Sequence, residues 1–209
     1  MLFFCICIIF FSDLNYLKCF FITDFECTIK MCTFANRNAT IQKIMKRIGI
    51  LSDTHGMIPN QAYDFFKDCD EIWHAGDIGN TDVLIELQAF KPTRAVYGNM
   101  DGWDIRHETS ENQLFFCESC KVLMTHIGGY PGRYERRILP LIESQRPDIF
   151  VSGHSHILKV MPDRKYNLLH INPGAAGRQG FHKVSTLVRF VIDGKTPKDL
   201  EILEIKKGI

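Results

Sequence analysis

The chain lacks an excess of charge of either sign. Its 25 Lys and Arg are set against 24 Asp and Glu, a formal net charge of +1 over 209 residues. A generic nucleic-acid binder would carry a basic excess or a basic stripe. Only a short basic patch stands here, at Arg133, Arg136 and Arg137, so no extended nucleic-acid surface is expected. There is no low-complexity tract and no repeat of fixed period. The apolar stretch at residues 1–11 is shorter than the roughly 20 residues that cross a bilayer. It also lacks the positive n-region and the clear small-residue cleavage site of a signal peptide. Cysteine is sparse beyond residue 44, where Cys69, Cys117 and Cys120 are the only ones. Such usage does not suggest a disulfide framework and favours a reducing, cytoplasmic compartment.

The other five of the eight cysteines fall in residues 1–44. This apolar, cysteine-rich leader differs from everything after it. It reads as an upstream extension, non-native or disordered, produced by a start codon placed too early. A short membrane-associated segment is the competing reading. The compact domain is expected to occupy residues 45–209, a length that suits one domain with a sizeable core.

From Met45 the chain alternates. Residues 48–52 form a continuous apolar run, the mark of a strand covered on both faces. Asn60 is placed to cap a helix with Ala62, Phe65 and Phe66 on its apolar face. Residues 71–74 form a second strand. Residues 81–89 form a second helix, with Val83, Leu84 and Leu87 inward and Thr81 or Asn80 as its cap. Residues 93–97 form a third strand. That order implies parallel pairing with right-handed crossovers. Strands then follow at 113–116 and 121–125, a helix at 133–143 with Pro131 near its start and Pro147 beyond its end, and a short strand at 149–152. Further strands are expected at 158–161, 166–171, 185–192 and 200–205, with a turn at Asp193-Gly194. The C-x-x-C pair Cys117 and Cys120 lies between two strand-like runs. It has no second pair to complete a zinc site, so a hairpin turn is expected there.

Several of these runs end in ligand-capable residues: Asp53 and His55, Asp77, Asn99, His126, and His154 with His156. Groups at strand ends converge at the carboxyl edge of a sheet. Two carboxylates, one carboxamide and four imidazoles can share two cations. That donor set suits manganese, iron, cobalt or zinc better than calcium. Gly76, Gly98 and Gly153 precede ligands and would let the backbone turn sharply beneath a crowded site. Gly128-Gly129 would allow a flexible loop over the cleft. Tyr130, Arg133 and Tyr134 are candidate pocket residues, and an arginine fork suits phosphate.

The segments Ile50-Leu51-Ser52-Asp53-Thr54-His55-Gly56, Gly76-Asp77, Gly98-Asn99, His126, Gly153-His154-Ser155-His156 and Asn172-Pro173-Gly174 resemble the calcineurin-like metallophosphoesterase superfamily. Within it, residues 45–208 look like the small bacterial and archaeal phosphodiesterase branch. The resemblance implies an α/β fold, a two-sheet metallophosphoesterase sandwich flanked by helices. It implies two divalent ions, manganese first, with iron, zinc, nickel or cobalt as alternatives. Asp53, His55 and His156 would hold one metal and Asn99, His126 and His154 the other, with Asp77 shared. A metal-bridging hydroxide would then attack the phosphorus of a small phosphodiester or nucleotide-like substrate, with support from Asp101 and Arg133. Many members of the superfamily have histidine after the Gly-Asn pair; this chain has Met100, which cannot transfer a proton. A phosphomonoesterase using the same centre, a nuclease, and a non-catalytic scaffold like the retromer subunit of this fold are the rival readings. A homodimer through exposed apolar helix faces is left open.

Overall fold

The structure is a computed structural model that describes residues 45–207; the expectations for residues 1–44 lie outside the described residues. The first half alternates as the sequence implies: β1 (Met45–Leu51), α1 (Gln61–Phe66), β2 (Glu71–His74), α2 (Thr81–Phe90) and β3 (Thr93–Ala95). β1 pairs parallel with β2, and β2 parallel with β3. Next come α3 (Trp103–Glu108), the hairpin β4 (Asn112–Cys117) and β5 (Cys120–Thr125), and a smaller hairpin, β6 (Gly129–Tyr130) and β7 (Arg133–Tyr134). α4 (Leu139–Gln145), β8 (Ile149–Val151), β9 (Leu158–Asp163), β10 (Leu168–Pro173), β11 (Val184–Asp193) and β12 (Thr196–Lys206) complete the described chain.

The strands build two mixed five-stranded sheets, ordered β12-β11-β1-β2-β3 and β4-β5-β8-β10-β9. Side-chain alternation along β1 explains the layering. Ile48 and Ile50 enter the cluster between the sheets with Val188 and Phe190 from one and Val122, Met124, Ile149, Val151 and Ile171 from the other. Trp73 sits there fully buried, edge-on to Phe115 and Phe190. Leu51 and Ile72 point the other way, into a second cluster with Phe66 of α1 and Val83, Leu84 and Leu87 of α2. Gly49 also faces that side, where a Cβ would lie 2.6 Å from the Phe66 ring. A third cluster joins Ile142 of α4 to Leu123, Phe150 and Leu168 on the outer face of the second sheet. The expected sandwich flanked by helices is the observed one. No helix among the described residues is long and apolar enough to cross a membrane.

Three local expectations differ from the structure. Residues 133–143 are not one helix: β7 comes first, and α4 starts at Leu139 with Pro140 in its first turn. Pro140 has no amide hydrogen, and its ring would strike the carbonyl four residues back, so a helix cannot run through it but can begin there. Asn60 makes no side-chain cap bond, whereas Asn80 Oδ1 accepts the Val83 amide at 3.0 Å. α3 was not anticipated; its six residues are too few to show a helical period. The C-x-x-C segment is a hairpin, with Cys117 opposite Cys120 and both thiols free and buried.

Candidate metal centre

Asp53 and His55 follow β1, Asp77 follows β2, Asn99 follows β3, His126 follows β5, and His154 and His156 follow β8. Main-chain hydrogen bonds tie these ends together. The Asp53 amide donates to Gly76 O (2.9 Å), the His55 amide to Asp77 O (3.0 Å) and the Gly153 amide to His126 O (2.9 Å). The side chains form two groups: Asp53, His55 and His156 in one, and Asp77, His126 and His154 in the other. Within each group the candidate donor atoms lie within 4.8 Å of one another. The groups adjoin. Asp53 Oδ1 is 3.2 Å from His156 Nε2 and 4.0 Å from His126 Nε2, and His126 Nε2 is 3.3 Å from Asp77 Oδ2.

Asp53 Oδ1 and His126 Nε2 are buried without a hydrogen-bond partner. Unpaired polar atoms in a dry site are costly. A carboxylate oxygen and an imidazole nitrogen orphaned together fit a divalent cation, which would take a lone pair from each. His126 is oriented for that role. Its Nδ1 donates to Ala75 O at 2.8 Å, which leaves Nε2 facing the cluster. Burial alone would lift the Asp77 carboxyl, yet His126, the Met100 amide and His55 bring it below the usual carboxylate range. Burial opposes protonation of His126, but Asp77 and Asp53 outweigh it and raise its pKa. Burial, then the His126 ring, lowers that of His154.

The backbone is bent hard at these residues. Among the described residues nine non-glycine positions have positive φ, and Asp53, His55, Asp77, His154 and His156 are five of them. Such conformations cost about 1–3 kcal/mol each and persist where the surroundings over-determine them. The glycines play two parts. Gly76 has φ +93° and turns the chain under His126. Gly98 and Gly153 have no such φ; a Cβ at Gly98 would collide with the Asp77 carboxylate, and one at Gly153 with Ser52 Oγ. Those two give room rather than a turn.

Asn99 lies on the exposed loop after β3 and lines a cleft of about 340 Å³ that reaches His126. Asp101 is buried, and both carboxylate oxygens accept amides, Oδ1 from Gly79 (2.8 Å) and Oδ2 from Gly98 (2.7 Å). It therefore fastens the loop of Asp77 to the loop of Asn99. Arg133 stands exposed on the β6–β7 hairpin, beside a second cavity that includes His154. Gly128 and Gly129 lead into that hairpin and are crowded by Phe150 and by the β7 backbone. The Tyr134 hydroxyl is committed to Asp163 (2.6 Å).

Three residues outside the ligand set support it. His74 is fully buried. Its Nδ1 accepts the Gly76 amide (3.2 Å), so its Nε2 donates to Thr54 Oγ1 (2.8 Å), which in turn donates to Ile78 O (2.9 Å). That chain fixes Thr54 between Asp53 and His55. Asn172 Nδ2 donates to Gly153 O (2.8 Å) and Ser155 Oγ (3.1 Å) and steadies the loop of His154 and His156. His182 packs edge-on against His156, ring centres 5.1 Å apart, from a loop with no ligand spacing.

The chain is similar to several known proteins. A probable metallophosphoesterase of Methanothermobacter thermautotrophicus is 35% identical over 138 residues, which cover 61% of this chain and 76% of that protein. An archaeal phosphodiesterase of solved structure superposes with a TM-score of 0.61 at 24% identity, over 76% of this chain and 99% of that one. Vacuolar protein sorting 29 from Cryptosporidium parvum gives a TM-score of 0.60 at 16% identity, over 78% and 99%. The sequence model of the calcineurin-like phosphoesterase superfamily domain matches residues 45–195, and the chain belongs to that superfamily.

Proposed function

We propose that the chain is a divalent-metal-dependent phosphodiesterase acting on small phosphodiesters. The observation that carries this reading is the adjoining pair of ligand groups, with Asp53 Oδ1 and His126 Nε2 orphaned between them. Asp53, His55 and His156 would hold one ion; His126, His154 and Asn99 would hold the other, with Asp77 shared. Manganese is the first candidate. Two divalent ions so held supply neutralisation of phosphoryl oxygens and acidification of water.

The chain's own residues do the rest. Ala75 and Asp101 keep His126 and the Asn99 loop in place, and His74 and Asn172 do the same for the loops of Asp53 and His154. Met100 is exposed beside Asn99 and has no proton to give. Leaving groups that depart as stable anions, such as aryl oxides, should therefore be cleaved best. Cys69, Cys117 and Cys120 are buried free thiols, and burial pushes them up to about 11, 12 and 11, well away from reactivity.

The test is turnover of bis(4-nitrophenyl) phosphate against 4-nitrophenyl phosphate with manganese added. The diester is expected to have the higher kcat/KM, with activity lost on chelation. A higher value for the monoester would favour the phosphomonoesterase reading. The scaffold reading draws on the likeness in fold to vacuolar protein sorting 29. No turnover of either ester by metal-loaded protein would favour it, but the full set of ligand groups weighs for the enzyme.

A further inference from the structure

Beside His154 lies a cavity of about 820 Å³ that the ligand groups do not account for. It is large enough for a substrate arm well beyond the phosphoryl group itself. The β6–β7 hairpin, the segment just after it and β9 wall it, bringing Tyr130, Arg133, Arg136 and Lys159 to its surface. None of the three cations has a carboxylate partner among the described residues. Lys159 instead rests its Nζ 3.7 Å from the centre of the Tyr130 ring. The one carboxylate on the wall, Glu135, is turned to Arg137 at 4.0 Å. The wall therefore carries two more positive charges than negative ones.

The second observation is His170. It is fully buried on β10, it lines this cavity, and neither of its ring nitrogens has a hydrogen-bond partner. Its ring is held between Phe150 (5.6 Å) and Tyr134 (6.5 Å). Burial, reinforced by Lys159, lowers its pKa to about 4, so at neutral pH it offers one donor and one acceptor. Buried polar groups are almost always paired. An imidazole left wholly unpaired on a cavity wall is set to meet a ligand.

We propose that this cavity is a subsite for one arm of the phosphodiester and that it selects an arm carrying a second phosphate. Arginine forks and a lysine point charge suit a phosphate dianion, while His170 hydrogen-bonds the arm where it is most enclosed. The assignment rests on the phosphodiesterase reading for its role in turnover, though not for binding.

Two substrates separate the possibilities: thymidine 5′-(4-nitrophenyl phosphate) and the same ester bearing a 3′-phosphate. Both release 4-nitrophenolate and differ only in the second phosphate. The 3′-phosphorylated ester is expected to have a KM about tenfold lower at similar kcat. The double variant Lys159→Glu, Arg136→Glu should erase that difference, and His170→Phe, which keeps a ring in place, should raise KM for the ester with the second phosphate. Calorimetric binding of thymidine 3′,5′-bisphosphate against thymidine 5′-monophosphate supplies a readout without turnover. Tighter bisphosphate binding that the double variant abolishes, with neither ester cleaved, would uphold the subsite and sink the phosphodiesterase. Equal KM values and equal affinities in an active wild-type enzyme, or an advantage that survives charge reversal, would overturn the subsite and leave the phosphodiesterase standing.

Discussion

Gly98 illustrates how little slack the centre has. A single added carbon there would occupy the place of the Asp77 carboxylate, although no left-handed φ demands a glycine. Gly98→Ala is therefore expected to displace Asp77 or the Asn99 loop. Activity should fall at least a hundredfold, and bound metal measured by elemental analysis should fall with it. Normal metal content in that variant would refute the close packing of Gly98 on Asp77. Asp77→Asn should also remove activity and deplete metal. It keeps the size of the side chain, so loss of the charge rather than of packing is what it reads. Asp101 is a separate matter, since its two oxygens are spent on the Gly79 and Gly98 amides. Asp101→Asn leaves one amide facing an NH₂ group. It should lower unfolding free energy by about 1–3 kcal/mol, measured by urea denaturation of metal-free protein.

At the scale of strands and loops, two buried histidines tie function to acid stability. His74 and His170 are both held neutral, with pKa values lowered by burial to about 4 from an ordinary 6.5. Between those values the unfolded chain binds their protons and the native fold does not. Stability is thus complete above pH 6.5 and is lost as pH falls toward 4, by about 3 kcal/mol for each group. Urea midpoints taken from pH 7 to pH 4 should fall, and His170→Phe should flatten the slope by its share. An unchanged slope would show that His170 titrates normally in the fold. These two residues also mark where reading from sequence stops. Asp53, Asp77, His126 and their companions were legible because each follows a strand, and strand ends collect at one edge. β1, β2 and the β4–β5 hairpin were legible because apolar runs and turn residues bound them. His74 was not, because its bond to Thr54 joins residues distant in sequence; Asn172 stood in a recognised segment, but its bonds to Gly153 and Ser155 could not be read from it. Nor were the positive φ values at the ligands, which the collected structure imposes and local preference opposes.

For the whole molecule, the ligand groups draw on both sheets: Asp53, His55 and Asp77 from one, His126, His154 and His156 from the other. A cation bound to such a set favours the native state, and stabilises it by mass action. Chelation should lower the melting temperature, and excess manganese should restore it. A melting temperature indifferent to chelation would mean that the two groups do not hold metal in the folded protein. The sandwich itself should survive metal removal, since its three apolar clusters do not include any ligand residue.

The chain has two tryptophans, and they occupy opposite surroundings. Trp73 is sealed between the sheets, while Trp103, at the start of α3 just past Asn99 and Asp101, is 76% exposed and stacked on His107. Their fluorescence should therefore divide by task. Trp73 emits at shorter wavelength and reports the opening of the sandwich; Trp103 emits red-shifted, is open to iodide quenching, and reports on α3. Replacing Trp103 with Phe would leave one optical reporter for unfolding, and the difference from wild type would isolate the signal from α3.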